Sequence, residues 1–179
     1  MDNAILIKDK IKDYRNKTTK VSGDKSLSIR FAILASLAKG RSRATNLLKS
    51  EDVISTINCI KKLGIKIKFN KKICEINGKG INGYHSKKNL TLNAGNSGTA
   101  ARLLSATLIN AKNFIKITGD SSLKKRDMKR IIIPLIKFGA NFKKNNGTLP
   151  LSIKGSKILK PIDYEETLGS AQCKSAVML

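Results

Sequence analysis

Two stretches of this chain are built to one plan and lie 75 residues apart. In 51-EDVISTINCIKKLGIKIKF-69 the apolar residues Val53, Ile54, Ile57, Ile60 and Leu63 recur at helical spacing. Gly64 stops that helix, and I-K-I-K-F alternates as a strand does. In 126-RDMKRIIIPLIKFGANFKK-144 an acidic start, a helical run, Gly139 and a short strand follow in the same order. Asp52 answers to Asp127 and Gly64 to Gly139. A repeat of this kind constrains the fold more than any other feature. One such unit cannot bury its apolar face alone and must stack on its copies.

The repeat extends upstream of both stretches. Ahead of the first lies 22-SGDKSLSIRFAILASLAKG-40 and ahead of the second 95-GNSGTAARLLSATLINA-111. Each is a loop of Gly, Ser and Asp or Asn that opens into an apolar helix of small residues, expected to be buried. A third start of this kind is 169-GSAQCKSAVML-179. The expected fold class is α/β of the α+β type: two full strand–helix–strand–helix–strand–strand units and the first part of a third. The last helix ends in S-A-V-M-L without a cap or polar tail, which predicts the N-terminal part of a longer protein with an incomplete domain. The opening MDNAILIKDKIKDY reads as a strand followed by a charged turn.

Composition narrows the class. Hydrophobic residues make up 40 %, enough for a core, while aromatics are 4 % and Trp is absent, so that core is aliphatic. Lys and Arg number 36 against 12 Asp and Glu, a formal charge of +24. Two readings of the excess stand side by side. One is an anionic partner such as nucleic acid, acidic lipid or a phosphorylated small molecule. The other is composition alone, since Lys, Ile and Asn share A/T-rich codons. Three cysteines, Cys59, Cys74 and Cys173, form no C-x-x-C, which argues against a disulfide framework or zinc site and for a reducing cytoplasm. The lone His85 sits in G-Y-H-S-K-K and reads as a surface loop residue. No apolar run approaches the roughly 20 residues of a membrane span, and the N-terminus has no cleavable-signal pattern.

The three helix starts carry the functional signal. The first turn of a helix presents N–H groups without an internal acceptor and a partial positive charge, and small residues let an anion come close. G-D-K-S adds the ammonium of Lys25 and the hydroxyl of Ser26, and Arg30 lies one turn beyond Ser26. G-N-S-G-T supplies N–H groups and hydroxyls, and S-A-Q a hydroxyl and an amide. Each alone is an ordinary helix cap. Their recurrence at one place in the repeat points to a shared anionic ligand.

In order and spacing, G-D-K-S-L-S-I-R, G-N-S-G-T-A-A-R, G-D-x-S-L-x-x-R-x-M and S-A-Q-x-K-S-A resemble the motifs of the enolpyruvyl transferases, from about Val21 to Leu179. The branch whose acceptor is shikimate 3-phosphate is matched better than the sister branch acting on UDP-N-acetylglucosamine, which has G-x-K-N-A in place of G-D-K-S. The resemblance implies two similar domains, each of three β-α-β-α-β-β units with buried helices and outer sheets, closing on substrates in a cleft. Residues 1–20 would then belong to the otherwise missing first domain, and residues 21–179 to the repeat domain.

The implied reaction moves the enolpyruvyl group of phosphoenolpyruvate to the 5-hydroxyl of shikimate 3-phosphate and releases phosphate, with no metal or cofactor. The implied roles are specific. Lys25 would touch both substrates as the catalytic cation, while Ser26, Arg30, Ser170, Ala171 and Gln172 would hold shikimate 3-phosphate. Asn96, Gly98, Thr99 and Arg126, with Gln172, would hold phosphoenolpyruvate. The family's catalytic Asp and Glu belong to the other domain, so these 179 residues alone are expected to be inactive and the whole-length protein monomeric. The chain departs from the family at Ser22 and Leu103, where Pro is usual, at Asp127 in R-D-M, and at Ile29, where His is common. A basic nucleic-acid-binding module is the competing reading; few stacking aromatics and no basic-helix motif weigh against it. Partners are expected to be small anions, with no specific nucleic acid and no membrane.

Overall fold

Gly64 and Gly139 both take the left-handed backbone conformation, with φ of +86° and +110°, that ends a helix cheaply only at glycine. They close two equivalent helices, α2 (Glu51–Lys62) and α5 (Lys129–Phe138). Short strands restart immediately after them, β2 (Lys66–Phe69) and β6 (Asn141–Phe142). The computed structural model describes residues 21–179 apart from 71, 86 and 168. The strand expected within residues 1–20 lies outside the described residues.

The first unit holds α1 (Lys25–Leu37), β1 (Lys39–Thr45), α2, β2 and β3 (Ile73–Lys79). The second holds β4 (Thr91–Asn93), α3 (Gly98–Thr107), β5 (Ile115–Thr118), the one-turn α4 (Ser121–Lys124), α5, β6 and β7 (Leu151–Lys154). The third helix start becomes α6 (Ala171–Met178). Strand order is β1-β3-β2 in one sheet and β4-β5-β7-β6 in the other. The pairs β1–β3 and β2–β3 are antiparallel, as are their counterparts β5–β7 and β6–β7, so the repeat reproduces topology as well as pattern. Strand β4 adds in parallel to β5 and has no counterpart in the first unit among the described residues.

The core is aliphatic. Ile29, Ile33, Ile57, Ile60, Leu63, Ile76, Leu92, Leu104 and Ile117 are fully buried between the helices and the inner sheet faces. Helix α3 is central: it packs on α1, α2, α5 and α6, and only the small and aliphatic residues of G-T-A-A-R-L-L-S-A-T fit that crowded place. Strand β1 is largely solvent-facing, so helices lie inside and sheets outside.

Three local readings change. Helix α1 is buried on one face rather than all round, with Leu27 and Leu34 exposed. Ile54 is 43 % exposed, because at 100° per residue it falls on the rim of the stripe while Thr56 and Cys59 take the buried places. Helix α5 starts at Lys129, not at Arg126, and Asp127 stays outside it, accepting from the Lys129 N–H at 2.9 Å. The cause is Asp120, which caps the extra turn α4 and so moves the next helix start downstream.

Candidate functional site

Each of the three helix starts is a capped N-terminus, and the caps fall at equal intervals: Asp24, Ser97 and Ser170, 73 residues apart. Their side chains accept from the N–H groups of Leu27, Ala100 and Cys173 at 2.7, 3.2 and 3.3 Å. The residues singled out from sequence therefore occupy one structural position three times over. Lys25, Gly98 and Ala171 are the first helical residues, and Ser26, Thr99 and Gln172 the second.

Side chains tie two of these starts together. Gln172 Nε2 donates to Thr99 Oγ1 at 2.9 Å, and Gln172 Oε1 accepts from Arg102 Nη1. The other arm of Arg102 donates to the carbonyl of Asp127 at 3.1 Å, which joins α3 and α6 to the turn before α5. Arg126 stands on that same turn. Its Nη2 donates to Asn96 Oδ1, and Asn96 Nδ2 donates in turn to Asp120 Oδ2 at 2.6 Å.

Gly98 is where the two guanidiniums meet. A Cβ added there would lie 2.8 Å from Arg102 Nη1 and 3.3 Å from Arg126 Nη1. Both arginines are held by neutral oxygens: an amide and a carbonyl for Arg102, an amide for Arg126. Their hydrogen bonds go to neutral oxygens, while the carboxylates of Asp127 and Asp120 act on Arg102 and Arg126 through space. Burial first, and then Arg130 and Arg126, push the Arg102 pKa below the usual arginine value, the signature of cations gathered around a partly dry site. Asp120 is held below the usual carboxylate range, chiefly by the Leu123 N–H it caps and also by Asn96.

The first helix start joins the site through different contacts. Arg30 Nη2 donates to Ser175 Oγ of α6 at 3.1 Å, and Nη1 to the Ser26 carbonyl at 3.4 Å. Together with Ile33, Leu103 and Met178 it lines a cavity of about 260 Å³. The ammonium of Lys25 lies 3.3 Å from Asp52 Oδ2 on α2. One turn on, Ser55 Oγ sits 2.8 Å from where a Cβ of Gly95 would be, so the first turn of α2 spans from Lys25 to the N-A-G-N-S-G loop.

The expected residues thus fall into three groups. Asn96, Gly98, Thr99, Arg126 and Gln172 form one connected cluster. Ser170, Ala171, Ser26 and Arg30 lie on the adjoining helix starts. Lys25 pairs with Asp52. Two contributors were missed from sequence, Arg102 and Asp120. Arg102 lies four residues after Gly98 as Arg30 does after Ser26, so the same one-turn argument reaches it. Asp120 is the Asp of the G-D-x-S-L motif and a capping residue by type, but its contact with Asn96 spans 24 residues and is decided by the fold.

The other sites weighed carry no such constellation. His85 is an exposed loop residue, its Nε2 3.4 Å from Lys79 Nζ. The three cysteines are free and buried, and burial pushes the Cys59 thiol up to about 11. Among the described residues no three His, Cys, Asp or Glu side chains gather, and no helix is long and apolar enough to cross a membrane.

Comparison with known proteins bears on this arrangement. The family model of EPSP synthase (3-phosphoshikimate 1-carboxyvinyltransferase) matches residues 10–179. The chain is 47 % identical over 161 residues to the 3-phosphoshikimate 1-carboxyvinyltransferase of Ruthia magnifica subsp. Calyptogena magnifica, covering 89 % of this chain and 37 % of that relative. It is 44 % identical over 177 residues to that of Alkaliphilus metalliredigens, covering 98 % of this chain and 41 % of the relative. A solved EPSP synthase from Acinetobacter baumannii superposes with a TM-score of 0.83 at 38 % identity, over 89 % of this chain and 36 % of that one. The chain spans about two fifths of the length of these curated relatives. A match that runs through both repeat units and on through the third helix start leaves one assignment: the chain belongs to the EPSP synthase family.

Proposed function

We propose that this chain supplies one wall of the substrate cleft of an enzyme that transfers the enolpyruvyl group of phosphoenolpyruvate to the 5-hydroxyl of shikimate 3-phosphate, releasing phosphate. The observation that carries the reading is the meeting of Arg102 and Arg126 at Gly98, each oriented through neutral oxygens. Phosphoenolpyruvate carries a phosphate and a carboxylate. Two guanidiniums whose hydrogen bonds go to neutral oxygens, beside a helix N-terminus, suit such a compact polyanion. In this reading Arg126, Asn96, Gly98 and Thr99 hold phosphoenolpyruvate, and Ser26, Arg30, Ser170 and Ala171 hold shikimate 3-phosphate. Gln172, steadied by Arg102, faces both. Lys25 exchanges Asp52 for substrate oxygens and offsets the charge that develops as the hydroxyl adds and phosphate leaves.

The acid and base for the proton steps come from the remainder of the whole-length protein, which works as a monomer in the cytoplasm. The chain alone therefore binds but does not turn over. Calorimetric titration with shikimate 3-phosphate is expected to give weak, saturable binding that Arg30→Ala reduces by about tenfold or more. No binding, or binding indifferent to Arg30→Ala, overturns the reading. Phosphate release by the chain alone with both substrates overturns the division of labour.

Asp120→Asn separates orientation from folding. The amide oxygen still caps α4, so the stability is expected to stay within about 0.5 kcal/mol of the parent's. The amide nitrogen, however, faces the Asn96 nitrogen and breaks the relay to Arg126. Phosphoenolpyruvate affinity is expected to fall several-fold, and to fall no further when the change is made in an Arg126→Ala background. Additive losses in the double variant would show that Asp120 does not act through Arg126.

A further inference from the structure

Away from the helix starts, the outer face of α5 breaks the symmetry of the repeat. Ile133 and Ile136 are 56 % and 51 % exposed. The equivalent positions of α2, 75 residues earlier, are Asn58 and Lys61, both also exposed. That comparison is an internal control. Helix α2 already has the following unit packed beside it, through α3 and β4, and its Asn58–Lys61 face still looks to solvent. A further unit seated on α5 in the same way leaves Ile133 and Ile136 uncovered as well.

The two isoleucines are not scattered surface residues. With Phe142 they line a groove of about 450 Å³ between α5 and the strand β6, rimmed by Lys129, Lys143 and Lys144. The Lys129 stem lies across Gly147, where an added Cβ would sit 2.5 Å from its Cγ, which holds this rim lysine against the loop after β6. Strand β6 is the edge of its sheet. Lysines on an edge discourage pairing with a like-charged strand but complement an acidic one.

We propose that this groove is a docking site for an acidic segment of another protein, carrying two or more aliphatic side chains that seat on Ile133, Ile136 and Phe142 while its carboxylates meet the three rim lysines. Charge complementarity selects this occupant. A second copy of the chain, at +24, brings lysine against lysine.

The probe is a synthetic peptide alternating Glu with Leu, labelled for fluorescence anisotropy and also followed through the isoleucine methyl resonances. Saturable binding is expected, with shifts concentrated at Ile133 and Ile136. The double change Ile133→Asn with Ile136→Lys, which installs the residues of the sister unit, is expected to weaken it by about tenfold or more with an unchanged melting temperature. Lys144→Glu is expected to weaken it further, and raised salt to reduce but not abolish it. Four results overturn the proposal: equal binding of an all-Glu peptide, binding of phosphatidylglycerol vesicles without binding of the peptide, self-association abolished by the double change, or a melting temperature lowered by it. The last would mean that the protein's own chain covers the face.

Discussion

Arg126→Ala is expected to weaken phosphoenolpyruvate binding by roughly 30- to 140-fold, the equivalent of about 2–3 kcal/mol for a charge-assisted hydrogen-bonding group removed from an anion. The reasoning starts from how Arg126 is held. Its backbone N–H closes the α4 turn on Leu123 at 3.1 Å, and its Nη2 is spent on Asn96 Oδ1. Its Nη1 points at Gly98. The side chain is exposed and supports no buried contact, so its removal is expected to leave the fold intact. Arg126→Lys is expected to recover only part of the loss, because a single ammonium cannot bond Asn96 and a bound anion with the fork geometry of a guanidinium. Calorimetric titration of phosphoenolpyruvate into the three proteins, with melting curves alongside, checks this. Unchanged affinity in Arg126→Ala would remove Arg126 from the site.

The second large effect concerns stability. Gly155→Ala is expected to cost about 3 kcal/mol or more, read as a shift of the urea unfolding midpoint. Gly155 follows β7 and lies against the chain that leaves α3. A Cβ there would fall 2.1 Å from the Ile109 carbonyl oxygen and 2.5 Å from the Ala111 nitrogen. Those are backbone atoms and cannot swing aside as a side-chain tip can. They are also fixed by two hydrogen bonds across the same gap, Gly155 N–H to Ala111 O and Ser156 N–H to Ile109 O, both 2.9 Å. The first unit makes the same approach: a Cβ at Gly78 would lie 2.2 Å from the Ala38 oxygen and 2.3 Å from the Ala35 oxygen. Gly40→Ala serves as a contrast, since nothing lies within 4 Å of its Cβ position and only its φ of +91° opposes substitution. Equal effects at the two glycines would refute the close-approach argument.

The sequence by itself determined the unit and its repetition. Helix period, strand alternation and glycine punctuation are local properties, and they are written twice at a 75-residue interval, so α2, α5, β2, β6 and their turns could be read directly. The three helix starts were legible for the same reason, since a capping side chain acts on an N–H only three residues away. Lys25, Ser26 and Arg30 were singled out at the first start, and the one-turn spacing that gave Arg30 extends to Arg102, whereas Arg126 was chosen only on the family resemblance.

Only the tertiary structure decided how these parts meet. That Gln172 bonds Thr99, that Arg102 and Arg126 reach one glycine, and that Asp120 steadies Arg126 through Asn96 depends on separations of 24 to 73 residues, which no periodicity encodes. The partnering of Lys25 with Asp52 is of the same kind: α1 and α2 are brought side by side by a shared core, not by their own residues' preferences. Local order comes from forces acting within a turn or two of chain, whereas the placement of charges around Gly98 comes from burying aliphatic faces that have no knowledge of those charges. The chemistry of the site was therefore visible as residue types, and its geometry became visible only once the units were packed.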